Sequence, residues 1–125
     1  MHHLAFGARD VEHIAGFYSH LFGLEELCRK CDAQGLLRSV WLRLGSGVLM
    51  VERTMLERPP VNGVDAGLFL IAFRVDAAMR AELENKLVAL GHPVESRTEH
   101  TSYFRDPEGN RFAISHYPIA ERVSG

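Results

Sequence analysis

The sequence predicts an α+β protein made of two βαβββ modules, whose strands form a curved mixed sheet around a pocket. Three observations predict it. A short apolar segment precedes an Asp-capped, Gly-terminated helical pattern twice, near residues 2–23 and again near 67–91. Each helical pattern is followed by three short extended segments bounded by turn residues. Between the copies lie Pro59-Pro60 and Asn62-Gly63, which neither a helix interior nor a central strand accommodates. One domain over residues 1–125 is expected, with a first half at about 1–53, a linker at about 54–66 and a second half at about 67–118.

The elements follow in order. Residues 2–8 read as a strand, and Asp10 can accept the first free N–H groups of a helix. Val11, Ile14, Phe17, Tyr18, Leu21 and Phe22 recur at helical spacing, and Gly23 ends the pattern. Extended segments are expected at 24–31, 36–44 and 47–53, the last two joined by a turn at Gly45-Ser46-Gly47. In the second half a strand spans 67–75, and Asp76 caps a helix with Met79, Leu83, Leu87 and Leu90 on its apolar face. Gly91 and His92-Pro93 stop that helix. Strands at 93–97, 101–105 and 111–117 complete the repeat, the last two joined by Asp106-Pro107-Glu108-Gly109-Asn110. A four-stranded sheet with one helix has one face uncovered, so two such modules, within a chain or exchanged between two, can enclose a pocket.

Composition excludes several classes. The net charge of −2 gives no basic surplus for nucleic acid, and no apolar run reaches the ~18–20 residues of a membrane span. With Asp10 and Glu12 so early and no signal-peptide pattern, a cytoplasmic location is expected. Cys28 and Cys31 are spaced C-x-x-C, but no second pair completes a zinc set, and on a regular strand their side chains face opposite ways. Ordinary reduced thiols are the expectation.

The segments HLAFGARDVEHIAGFYSHLFGLEEL (3–27), VWLRLGSGVLMVE (40–52), FLIAFRVD (69–76) and SYFRDPEGNRFAISHYP (102–118) resemble the vicinal oxygen chelate superfamily of glyoxalases, bleomycin-resistance proteins and extradiol dioxygenases. The most specific piece is YFRDPEGNRF. The resemblance implies the fold above, frequent dimers, and a divalent metal held by the first, fourth, fifth and eighth strands. Carried over residue by residue, it places His3, seven before Asp10, and Glu52 at two of the four ligand positions. Leu70 and Ala113 occupy the other two, and neither offers a lone pair. Two protein ligands make a poor site for a resident ion. A bound metal is therefore not expected, and a buried ion pair of Glu52 with His3 or a nearby Arg is the expected remnant.

Strand parity extends the site. Glu52 brings Met50 and Val48 to its face, Leu70 brings Ala72 and Arg74, and Ala113 brings Ser115 and Tyr117. Trp41, Arg43 and Ser39 follow if Leu42 and Leu44 face the helix. By resemblance to fosfomycin-resistance proteins, Thr101 and Tyr103 face a substrate. Trp41, Arg43, Met50, Arg74, Thr101, Tyr103 and Tyr117 are thus the candidate binding residues, suited to an aromatic or partly anionic ligand. Two functions are expected in competition: a metal-free protein that sequesters such a ligand, or a metal-dependent lyase, isomerase or dioxygenase-like enzyme working through His3 and Glu52. A homodimer is expected in either case.

Overall fold

The computed structural model describes residues 1–57 and 61–119. It contains two four-stranded mixed sheets, each carrying one helix. The chain divides into two compact units, Met1–Pro60 with Asp106–Gly109, and Val61–Arg105 with Asn110–Gly125.

In the first unit β1 (His3–Ala8), α1 (Val11–Phe22), β2 (Glu26–Cys31), β3 (Leu37–Leu44) and β4 (Gly47–Arg53) form a sheet of order β1-β4-β3-β2, with β1 and β4 parallel. The Asp10 carboxylate accepts the His13 N–H at 3.0 Å and starts α1. Gly23 ends it in the left-handed region (φ 64°), which a side chain would disfavour. Val11, Ile14, Ala15, Tyr18 and Leu21 are buried on one side of the helix. Val40 and Leu42 of β3 and Leu49 and Val51 of β4 alternate with half-exposed residues and are also buried. Each such aliphatic side chain contributes ~1.5–3 kcal/mol by leaving water.

In the second unit β5 (Ile71–Arg74), α2 (Ala77–Ala89), β6 (Ser96–Arg97), β7 (Thr101–Arg105) and β8 (Arg111–Ser115) repeat the order as β5-β8-β7-β6, with β5 and β8 parallel. Three expectations are corrected here. The strand expected from residue 67 begins at Ile71, because it pairs only with Phe112–Ser115 of a five-residue β8; Leu68 is exposed. The strand expected over 93–97 keeps two ladder residues. In α2, Leu83 and Leu87 are buried but Met79 and Leu90 are exposed. Arg80 takes the inner position that Met79 was expected to hold, and its guanidinium donates to Ser102 Oγ (2.8 Å), to the carbonyls of Thr98, Glu99 and Thr101 (2.9, 2.7 and 3.2 Å) and to His116 Nε2 (3.1 Å).

The β7–β8 turn belongs with the first unit from Asp106 to Gly109. Buried Asp106 accepts from the Tyr18 hydroxyl at 2.8 Å, and the Glu108 carboxylate accepts the Arg9 and Asp10 backbone N–H groups, both at 2.8 Å. Burial foremost, then the Asp106 charge and hydrogen bond, holds the Tyr18 phenol well above its ordinary range, so it stays a donor. Pro59-Pro60 of the expected connector lies outside the described residues.

Candidate functional site

Each sheet has a helix on one face and a second face open. On the first sheet the ladder sets that open face in rows: His3–Val48–Arg43, then Ala5–Met50–Trp41–Cys28, then Gly7–Glu52–Ser39–Lys30. The parity expected for Val48, Met50, Glu52, Ser39, Trp41 and Arg43 is the parity observed. Trp41 is half-buried, and its indole N–H donates to Ser39 Oγ at 2.9 Å. The Lys30 ammonium lies 4.7 Å from the centre of the indole, and the His3 ring stacks beside it at 6.2 Å with planes 17° apart. Arg43 is exposed and paired with Glu25 at 3.1 Å.

The structure does not bring His3 and Glu52 together. In the parallel β1–β4 ladder His3 pairs with Val48, whereas Glu52 pairs with Gly7. Four rungs, ~13 Å along the strands, separate the two residues, so an ion pair between His3 and Glu52 is not formed. His3 instead lies against exposed His2 (Nδ1 to Nδ1, 3.0 Å) and Trp41. The thiols follow expectation. Cys28 lies opposite Trp41 and Cys31 opposite Leu37; the shift between them skips Arg38 of β3, so Cys28–Cys31 run uninterrupted along β2 and the two side chains alternate in face. Both cysteines are free. Three extended residues hold their Cα atoms roughly 10 Å apart, beyond the reach of a disulfide.

Glu52 borders an open hollow of about 420 Å³ with Ala5, Phe6, Gly7, Arg38, Arg53 and Thr54. Arg53 is anchored to Asp32 at 2.7 Å. Among the described residues neither Glu52 nor Arg38 has a hydrogen-bond or ion-pair partner.

On the second sheet Ala72, Ala113 and Tyr103 share a row, and Arg74, Ser115 and Thr101 share the next. The Thr101 and Ser115 hydroxyls lie 2.7 Å apart. Tyr103 carries the Arg111 guanidinium 4.5 Å above its ring, and the buried Arg111 Nε has no acceptor among the described residues. Arg74 is exposed on β5. Leu70 is half-buried just before β5, and Ala113 is fully buried. Tyr117 follows β8, exposed, with its ring 5.4 Å from that of His100. Arg111, Lys30 and Arg80 were missed in the sequence. Parity with Ala113 was enough to find Arg111, but Lys30 reaches Trp41 only because a bulge re-aims β2.

The family's ligand positions are poor in donors. Beside His3 the neighbouring strand offers Val48 and Met50, and beside Ala113 the neighbours are Ala72 and Tyr103. Among the described residues no three His, Cys, Asp or Glu side chains group closely enough to hold an ion. These residues do not fit a bound divalent cation, which takes three or more protein donors. Nor, among the described residues, is any helix long and apolar enough to cross a membrane.

A family model described as the Glyoxalase/Bleomycin resistance protein/Dioxygenase superfamily matches residues 1–114. Metallothiol transferase FosB of Lysinibacillus sphaericus (strain C3-41) is 26% identical over 130 residues, covering 98% of this chain and 86% of its own. Among solved structures, the fosfomycin resistance protein FosX of Listeria monocytogenes, complexed with Mn(II) and a dihydroxypropylphosphonic acid, superposes with a TM-score of 0.77 at 17% identity, over 95% of this chain and 93% of its own. A lactoylglutathione lyase from Agrobacterium tumefaciens gives 0.67 at 24% identity, over 92% and 91%. At these identities the two structures speak for the fold alone.

Proposed function

The chain belongs to the glyoxalase/bleomycin resistance protein/dioxygenase superfamily, and on that premise we propose that it binds an aromatic or partly anionic small organic molecule without a resident metal ion. The observation that carries this reading is the open face of the first sheet. Its only tryptophan stands there half-buried, with an ammonium over the ring and an imidazole beside it. A planar ligand gains stacking area on the indole and an ion pair from Lys30. Tyr103, Arg111, Arg74 and the Thr101–Ser115 hydroxyl pair give the second sheet's open face the same chemical character. The donor set around His3 and Ala113 supports binding without a metal.

The test uses Trp41 as its own reporter. Titration with a planar aromatic carboxylate such as 2-naphthoate is expected to quench the indole fluorescence saturably, equally with and without a chelator. Lys30→Met is expected to weaken binding about tenfold, the scale of one lost charge-assisted contact. Binding that needs Mn(II) or Ni(II) and disappears in His3→Ala overturns the metal-free reading in favour of an enzyme. That alternative now rests on His3 alone, since Glu52 stands four rungs away.

A homodimer and a cytoplasmic location are proposed with this function. Exposed Met55, Leu56, Val64 and Leu68 along the connector support a subunit contact, and the two free thiols suit a reducing compartment. Light scattering of the purified chain reads the mass directly, and a monomer overturns the assembly.

A further inference from the structure

We propose that the hollow at the Gly7–Glu52 rung is a second binding site, one that takes a zwitterionic small molecule by its ammonium and its carboxylate. The proposal is independent of the aromatic-ligand reading. Glu52 is a half-buried carboxylate that borders a hollow and has no partner among the described residues. A carboxylate so placed is stabilised by any donor that arrives. Its acceptor atoms suit an ammonium, whereas one carboxylate without further oxygen donors does not hold a divalent cation.

The surrounding charge selects among ammonium compounds. Two guanidiniums border the same hollow, but Arg53 is already neutralised by Asp32 at 2.7 Å. That leaves one positive group, Arg38, and one negative group, Glu52. Ser39 is the rung partner of Glu52, and Arg38, one residue along β3 and skipped by the β2–β3 register shift, lines the same hollow; among the described residues the two form no ion pair with each other. A simple cation meets repulsion from Arg38, and a simple anion meets repulsion from Glu52. A molecule that is neutral overall, with opposite charges at its ends, satisfies both.

Gly7 supplies the room. It pairs with Glu52, and its φ is not in the left-handed region, so backbone conformation does not demand glycine there. A Cβ on Gly7 stands 3.1 Å from Thr54 Cγ2, and Thr54 lines the same hollow. Glycine at this rung keeps the floor beside the carboxylate clear.

The experiment is a backbone-amide NMR titration of the full chain with glycine, β-alanine and γ-aminobutyrate, alongside n-butylamine and butyrate as singly charged controls. The expected result is saturable shifts of the Ala5, Gly7, Glu52 and Thr54 amides with at least one zwitterion, and smaller shifts with either control. Glu52→Gln, which keeps the shape and removes the charge, is expected to weaken that zwitterion at least about tenfold, and Arg38→Gln to weaken it by a similar factor. Gly7→Ala is expected to block it, with Gly7→Ser as a second obstruction if the alanine variant fails to fold. Shifts that are equal for zwitterions and controls, no shift at these amides, or undiminished affinity in a folded Glu52→Gln variant overturns the proposal. Failure here leaves Trp41 quenching by 2-naphthoate untouched, so the two readings are judged separately.

Discussion

The two units share one strand order and solve the problem of seating a helix differently. Helix α1 buries five side chains, all apolar apart from the Tyr18 hydroxyl, over the apolar alternation of β3 and β4. Helix α2 buries only Leu83 and Leu87. Its remaining inner positions belong to Arg80, which makes five hydrogen bonds, and to Glu84, which Arg97, Arg80 and Ser102 surround. Apolar packing is indifferent to pH and tolerant of small rotations. A guanidinium whose N–H groups all have assigned acceptors fixes one geometry, and its loss removes the part-buried bonds to Ser102, Thr101 and His116 together. The second copy has its own apolar core in Phe73, Phe104, Phe112 and Ile114, and its helix is seated by a directional polar network in addition.

The largest effect is expected where the difference is sharpest. Ile14→Ala opens a cavity under α1 and should lower stability by about 2–5 kcal/mol, read by urea denaturation. Arg80→Met, which keeps much of the side-chain volume, should cost about 2–3 kcal/mol by the same measurement, since it removes five hydrogen bonds, those to the Ser102 hydroxyl and the Thr101 carbonyl part-buried, and leaves Glu84 to Arg97 and Ser102. If Arg80→Met is nearly neutral, α2 too is held by packing and the contrast fails. Tyr18→Phe should cost about 1.5–3 kcal/mol, because Asp106 keeps its burial and loses a donor.

A pH series sharpens the comparison further. The Glu84 carboxyl is held below its ordinary range first by its hydrogen bonds to Arg97, then by Ser102 and the charges of Arg97 and Arg80, against the opposing effect of burial. The Arg105 hydrogen bonds hold Glu95 down in the same unit. A carboxyl depressed in the folded state contributes stability that is present above its unfolded value, near 4.5, and lost as pH falls through the folded one. Glu84→Gln should therefore be less stable than the parent at neutral pH, with the difference shrinking below about pH 4.5. Ile14→Ala should show a pH-independent deficit over the same range. The smallest effect is expected from Cys28→Ser with Cys31→Ser, within about 0.5 kcal/mol of the parent, since neither thiol is fully buried or bonded.

Much of the fold was legible because its signals are local. The Asp10 and Asp76 caps, the Gly23 stop, the two-residue Gly45-Ser46 turn and the Asp106–Asn110 turn each act through neighbouring backbone, so residue type alone identifies them. The parity of β3 and β4 was equally legible, because a regular strand alternates strictly. The extent of the strand begun at 67 was not, since a strand lasts only as long as its partner, here a short β8.

The sequence by itself determined two βαβββ modules, the faces of their regular strands, and the absence of lone pairs at Leu70 and Ala113. Only the tertiary structure decided which residues meet. Which rung of a parallel ladder pairs with which is set by packing over the whole sheet and leaves no mark on either strand alone. That register separates Glu52 from His3 and sets it beside Gly7. A bulge in β2 between Glu26 and Cys28, equally invisible in the residue types, turns Lys30 onto Trp41. Chemistry that depends on pairs of residues distant in sequence is therefore fixed by ladder register and helix seating, while the identity of each partner was written in the chain from the start.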